Sequence, residues 1–279
     1  MNPGSKGGSS EKKFEIIHKA LKKQDIDYAF AITKDLNDAY NLSVQANMQG
    51  YDVIVAVGGD GTINRTLNGF YNNDGTKFSK AKFGIIYTGT SPDFCKSYNI
   101  PIDVKKAMSV LLEGNTREIG IGRVQFEKNV KYFSCCANIG LGAALARNAN
   151  SGIRKIFGDG LGTFLSLIKT LFTYKPIDII LNDQNLKKVF NVSIGKTYYV
   201  ASGLKIRNDL KPIDDRFYIL TIQNKVLKFI TKLYSGGSMN LDYAERIEIL
   251  GLGEVEFDGD EAGTLPCVIT PAENMYILN

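Results

Sequence analysis

Between Lys12 and Lys23 the apolar residues Phe14, Ile17 and Leu21 fall three and four positions apart, a spacing that predicts a helix with one buried face. Tyr28–Ile32 is a short β-rich run and reads as a strand. Asn37–Gln49 returns to helical spacing and is closed by Gly50. The stretch YDVIVAVGGDGTINRTLNGF then predicts a strand over Asp52–Val57, apolar on both faces, a glycine turn, and a helix from about Ile63. Phe83–Tyr87 repeats the strand and is followed by TGTSPDF, and Val104–Leu112 is a further helix. This alternation predicts an α/β N-terminal domain, three-layered around a mostly parallel sheet.

Beyond Arg117 the period changes from helical to alternating. Short strand-like runs dominate: GRVQF, KYFSCCANIG, IDIILN, KTYYVASG, RFYILTI, RIEILG and VEFDG. One apolar helical stretch, LGTFLSLIKTLF over 161–172, interrupts them and reads as a packed core helix. The pattern predicts a C-terminal antiparallel β-sandwich domain over 118–279, after a first domain over 1–117, with the last residues free to return to the first. No internal repeat and no low-complexity tract interrupts either half.

Composition narrows the function classes. With 44% hydrophobic and 23% charged residues in 279, the chain is not globally disordered. No run of about 18 apolar residues exists to span a membrane. The opening MNPGSKGGSSEKK lacks an apolar core, so no secretory signal is expected. Cys95, Cys135, Cys136 and Cys267 form no CxxC pair, and a reducing, cytoplasmic compartment is expected. A single histidine, His18, argues against a structural zinc site and against histidine catalysis. The net charge of +5 is too balanced for a dedicated nucleic-acid binder. Residues 147–207 nevertheless hold ten Lys or Arg against three Asp. That segment is either a solvated face or a face turned to anionic lipid headgroups.

The candidate chemistry lies in four short segments. Gly58-Gly59-Asp60-Gly61-Thr62 closes a predicted buried strand and opens a helix. Glycines there let backbone amides approach a phosphate, and the helix start favours negative charge. Asp60 would repel a phosphate unless a magnesium ion or a hydroxyl proton lies between them. Asn2-Pro3-Gly4-Ser5-Lys6-Gly7-Gly8 is a second small-residue loop. Gly89-Thr90-Ser91-Pro92-Asp93-Phe94 follows another predicted strand and brings Asp93 to the same sheet edge as Asp60. Asp258-Gly259-Asp260 is explained by a turn, or by a base and a magnesium contact. No Walker A, HRD, DFG or Ser-His-Asp pattern is present. Carboxylates, glycine loops and a metal suit phosphoryl transfer, where positioning and charge stabilisation carry the rate.

Taken in order, NPGSKGG, Thr33, GGDGTIN, GTSPDF, NIGLGA, the Asp214-Asp215 turn and FDGD resemble the diacylglycerol kinase catalytic-domain family, in its bacterial soluble lipid kinase branch. The resemblance spans nearly the whole chain; GGDGT alone is shared with NAD kinases. It implies a magnesium- and ATP-dependent kinase of a membrane lipid hydroxyl, diacylglycerol or a relative. The enzyme would dock transiently on the inner membrane surface and is plausibly a homodimer. Asn2, Pro3, Ser5, Thr33, Gly58, Gly59, Asp60, Gly61, Thr62, Asn64 and Thr90 would contact ATP, with Asp60 organising the magnesium and nucleotide site. Asp93 is the substrate-side candidate, and Asp258 or Asp260 would be the base for the lipid hydroxyl. Asp215, with backbone oxygens at Pro212 and Phe217, would hold a structural magnesium.

The departures from the family pattern are specific. The usual GTxND reads GTSPD, the acid usual after GGDGTIN is Arg65, an aspartate usual before the first sandwich strand is Gly120, and the closing DGE is DGD. The family also has a short apolar strand before its NP motif, so Met1 is expected to be internal to a longer natural chain, or the chain truncated. Two other readings stand beside the lipid kinase. One is a catalytically weak or silent nucleotide- or lipid-binding protein on the same scaffold, and the other is a soluble-substrate kinase such as an NAD kinase.

Overall fold

The computed structural model describes residues 1, 11–23, 26–35, 37–150, 170, 173–200, 204–223, 239–257 and 260–279. They fall into two units, Met1–Ile121 with Ala272–Asn279, and Gly122–Val200 with Leu204–Pro271. The chain passes from the first to the second within a strand, Thr116–Phe126, and returns within the last strand, Cys267–Leu278.

In the first unit the elements run α1 (Glu11–Lys23), α2 (Asp38–Met48), β1 (Val53–Gly58), α3 (Asp60–Asn68), β2 (Lys82–Tyr87), α4 (Asp93–Tyr98), α5 (Val104–Glu113) and the start of β3 (Thr116–Phe126). β1 and β2 pair in parallel from Val53↔Lys82 to Gly58↔Tyr87, so both strands end at one edge. Ile277 near the chain end adds to β2 in parallel at Phe83. Period two sorts the strands' side chains to two faces. Val57 and Ile86 meet Phe14 and Ile17 of α1 and Val104, Ala107 and Met108 of α5. On the other face Phe83 meets Phe70 and Phe94 edge-on. α2 lies on α3, where Ser43 Oγ donates to the Thr66 carbonyl at 2.7 Å. α5 starts at Asp103, whose carboxylate accepts the Lys106 amide at 3.0 Å, and stops at left-handed Gly114.

In the second unit β3 continues into β4 (Val130–Phe133), β5 (Cys136–Gly140), α6 (Leu141–Asn150), β6 (Ile177–Leu181), β7 (Gln184–Gly195), β8 (Tyr199–Val200), β9 (Leu204–Lys205), β10 (Phe217–Gln223), β11 (Asp242–Ala244), β12 (Ile247–Gly251), β13 (Glu254–Phe257), β14 (Asp260–Thr264) and β15 (Cys267–Leu278). The pairings among these strands are antiparallel, with β7 flanked by β5, β6 and β10. One apolar cluster joins Phe126, Phe133, Val192, Ile194, Phe217, Val255, Phe257 and Ile269. The first unit is therefore α/β and the second mostly β.

Several local expectations are corrected. Tyr28–Ile32 forms no strand. A strand needs a partner ladder, and the main-chain bonds of this stretch run to Met1 alone among the described residues: its amine donates to Ala31 at 2.7 Å and the Thr33 amide to its carbonyl at 2.9 Å. The helix after the GGDGT turn begins at Asp60 rather than near Ile63, because Ile63 already donates back to Gly59. Of KTYYVASG, the described residues 196–200 hold the two-residue strand Tyr199–Val200, while the Lys196 amide donates to the Cys135 carbonyl; 201–203 lie outside the described residues. TGTSPDF hides α4, NIGLGA opens α6, and QNLKKVFNVSIG is the long strand β7. The helix expected at 161–172 lies almost wholly outside the described residues.

Candidate active site

The carboxyl ends of β1 and β2 deliver two glycine loops to one edge of the first unit, the edge at which open α/β sheets bind ligands. The loops touch backbone to backbone: a β-carbon on Gly89 would lie 2.6 Å from the Gly59 α-carbon. The Thr88 amide donates to the Gly58 carbonyl at 2.8 Å. Thr62 folds over Gly58, where a β-carbon would meet its side chain at 2.5 Å. Only glycine fits at these approaches.

Asp60 is the first residue of α3, and Tyr87 is the last of β2 on the same edge. The Tyr87 hydroxyl donates to Asp60 Oδ2 at 2.9 Å, while Oδ1 is buried without a hydrogen-bond partner. Burial pushes the Asp60 carboxyl up from 3.8 to about 7. The Tyr87 bond opposes that rise and the nearby Asp93 carboxylate adds to it. Asp60 in turn acts outward: burial and then its charge raise the Cys95 thiol to about 12, and both also raise the Tyr87 phenol. An acceptor-only oxygen in a dry site, facing a second carboxylate, suits a hard divalent cation that keeps waters and phosphate oxygens as its other ligands. Asp60 and Asp93 fit magnesium in that sense. Among the described residues no group of three His, Cys, Asp or Glu side chains converges as a closed metal site.

The other nucleotide-side residues are placed unevenly. Thr62 and Asn64 are buried in α3, and Asn64 Oδ1 accepts from Asn68 at 3.1 Å. Gly61 lies in the first turn of α3 and Thr90 is exposed on the second glycine loop. Thr33 is half-buried and hydrogen-bonded to Met1. Pro92 caps α4 through its carbonyl, which accepts the Lys96 amide at 2.9 Å. Asn2, Pro3 and Ser5 lie outside the described residues.

In the second unit, β13 and β14 form a hairpin whose register pairs Phe257 with Asp260. Asp258 falls outside the described residues; Asp260 Oδ2 is buried. Phe257 faces the apolar cluster, so period two turns Glu256 to the opposite face. There a row of cross-strand partners, Glu256, Asn138 and Ser193, spans β13, β5 and β7. Asn138 Nδ2 donates to Glu256 Oε1 at 2.5 Å, and Ser193 Oγ donates to Asn138 Oδ1 at 2.5 Å. Asn191 bonds Ser193 at 2.9 Å and accepts the Gly142 amide of α6 at 2.8 Å. Sequence reading missed this network and Tyr87. The alternation in EVEF was the one available signal for Glu256.

The turn expected to hold a structural magnesium at Asp215, with backbone oxygens at Pro212 and Phe217, carries a buried cation of its own. Asp215 is exposed and Phe217 is buried in the core, and the Lys196 ammonium donates to the Asp214 and Arg216 carbonyls of that turn. Gly120 lies buried inside β3 rather than before it.

Comparison with known proteins is consistent with this geometry. Residues 1–124 match the model of the diacylglycerol kinase catalytic domain. A diacylglycerol kinase of Staphylococcus aureus (strain bovine RF122 / ET3-1) is 29% identical over 283 residues, 95% of this chain and 86% of the relative. One from Staphylococcus saprophyticus is 27% identical, over 88% of this chain and 82% of the relative. A diacylglycerol kinase structure from Bacillus anthracis superposes with a TM-score of 0.72 at 17% identity, covering 99% of this chain and 94% of that one. An NAD kinase from Archaeoglobus fulgidus in complex with ATP gives 0.54 at 13% identity, over 100% and 91%. The last two likenesses speak for the fold. The ordered motifs, the family match over residues 1–124 and relatives of 27–29% identity over most of the chain together support the diacylglycerol kinase catalytic-domain family and a lipid kinase.

Proposed function

We propose that this lipid kinase transfers the γ-phosphate of ATP to a hydroxyl of diacylglycerol or a closely related membrane lipid, with magnesium. The observation that carries the reading is the buried Asp60 carboxylate between two touching glycine loops at the strand edge, facing Asp93. Asp60 and Asp93 would hold the magnesium, which supplies positive charge to the phosphate oxygens when bound. The glycine loops lower the backbone to phosphate reach, and the start of α3 adds a favourable dipole. Tyr87 fixes the Asp60 carboxylate through Oδ2 and leaves Oδ1 for the cation. Asp258 or Asp260 would take the proton of the attacking hydroxyl. The basic segment 147–207 is the proposed face toward anionic lipid, and its Arg154, Lys155 and Lys169 lie outside the described residues. No helix among the described residues is long and apolar enough to cross a membrane, in keeping with docking from the surface.

The test is transfer of labelled γ-phosphate from ATP into an extracted bacterial lipid mixture with magnesium, with Asp60→Asn as control. Label in a lipid that disappears in the control supports the reading, and its mobility names the lipid class. ATP binding without lipid label would instead favour the non-catalytic reading, for which Arg65 and Pro92 are the residues to revert.

A further inference from the structure

Lys196 is 5% exposed, at the start of the bend that follows β7. Its backbone is fixed by the Cys135 carbonyl at 3.0 Å. Its ammonium reaches into the turn 211–217, donating to the carbonyls of Asp214 and, at 3.4 Å, of Arg216. The same nitrogen stands 4.3 Å from the centre of the Phe217 ring. A buried ammonium survives where carbonyls, carboxylates and an aromatic face replace its water. Burial lowers the Lys196 pKa to about 8, and Asp215 and then Asp214 oppose the fall.

The turn's own carboxylate is also engaged. Asp214 accepts from the Arg216 amide and Nε at 3.0 Å and from its terminal nitrogen at 2.8 Å. The Arg216 hydrogen bond holds Asp214 down at about 2. A divalent cation on Asp215 would be repelled by the Lys196 ammonium, on which the Asp215 charge acts, and would find the Asp214 and Arg216 carbonyls and the Asp214 carboxylate already engaged.

We propose that Lys196 is the resident cation of the 211–217 turn, so that this chain orders the turn with an internal ammonium and binds no divalent metal there. The magnesium need of the proposed reaction would then rest with the Asp60 site alone. The inference itself stands independently of the reaction, since it concerns the second unit only.

The experiment is Mn²⁺ binding followed by electron paramagnetic resonance, on the full chain carrying Asp60→Asn to silence the other site, without nucleotide. The expected result is no ion bound with a dissociation constant below about 1 mM. Adding Lys196→Ala vacates the two carbonyls and should create one Mn²⁺ site, which Asp215→Asn then removes. Should the alanine variant not fold, Lys196→Gln, neutral and shorter, carries the same readout. Two results overturn the proposal: Mn²⁺ bound with Lys196 intact and lost in Asp215→Asn, or a folded Lys196 variant that gains no ion.

Discussion

Replacing Asp60 by asparagine should stabilise the ligand-free protein at pH 8 while abolishing phosphoryl transfer. Folding raises the Asp60 pKa from 3.8 to about 7, so the native state favours the protonated acid. Such a group contributes fully to stability below its unfolded pKa and loses that contribution as pH rises through the folded one. At about 1.4 kcal/mol per pH unit, the difference is at most about 4 kcal/mol, lost between about pH 4 and pH 7. Asparagine keeps an oxygen for the Tyr87 hydroxyl and never ionises. At about 2–4 °C per kcal/mol, the variant should melt several degrees above the wild type at pH 8, and nearly level with it at pH 4. The assay is thermal unfolding in EDTA from pH 4 to 8. Equal melting at pH 8, or a difference of the same size at both ends, would refute the reasoning.

Gly89→Ala places a methyl group 2.6 Å from the Gly59 backbone, so the two loops must part; ATP affinity measured by calorimetry should fall about tenfold or more, since overpacking costs about 1–3 kcal/mol. Asn138→Leu removes the partner of Glu256 and of Ser193 beneath α6 and should cost about 2–4 kcal/mol in chemical denaturation. Pairing it with Glu256→Leu should recover part of that loss, and a double variant no better than the single would show the network is not what is being read.

The local sequence decided the first unit almost to its elements. Helical spacing in α1, α2 and α5 and the apolar runs of β1 and β2 are short-range signals, and the glycine loops follow from turn chemistry at the strand ends. The placement of Asp60 and Asp93 at one edge follows from parallel order alone. The same local signals failed where the deciding partner was remote. Lys187 and Lys188 mask the strand pattern of β7, which is held by β5, β6 and β10. Tyr28–Ile32 has strand-like residues, but a ladder requires a second chain segment beside it.

What the sequence determined by itself is the family resemblance, the α/β-then-β order and the chemical character of the glycine-loop edge. Tertiary structure alone decided that Tyr87 restrains Asp60, that Glu256, Asn138 and Ser193 form one row, and that Lys196 enters the turn expected to hold a metal. Those contacts join positions from 18 to 118 residues apart. Their energies come from burial and charge, which depend on what folds around a side chain and not on its neighbours in the chain.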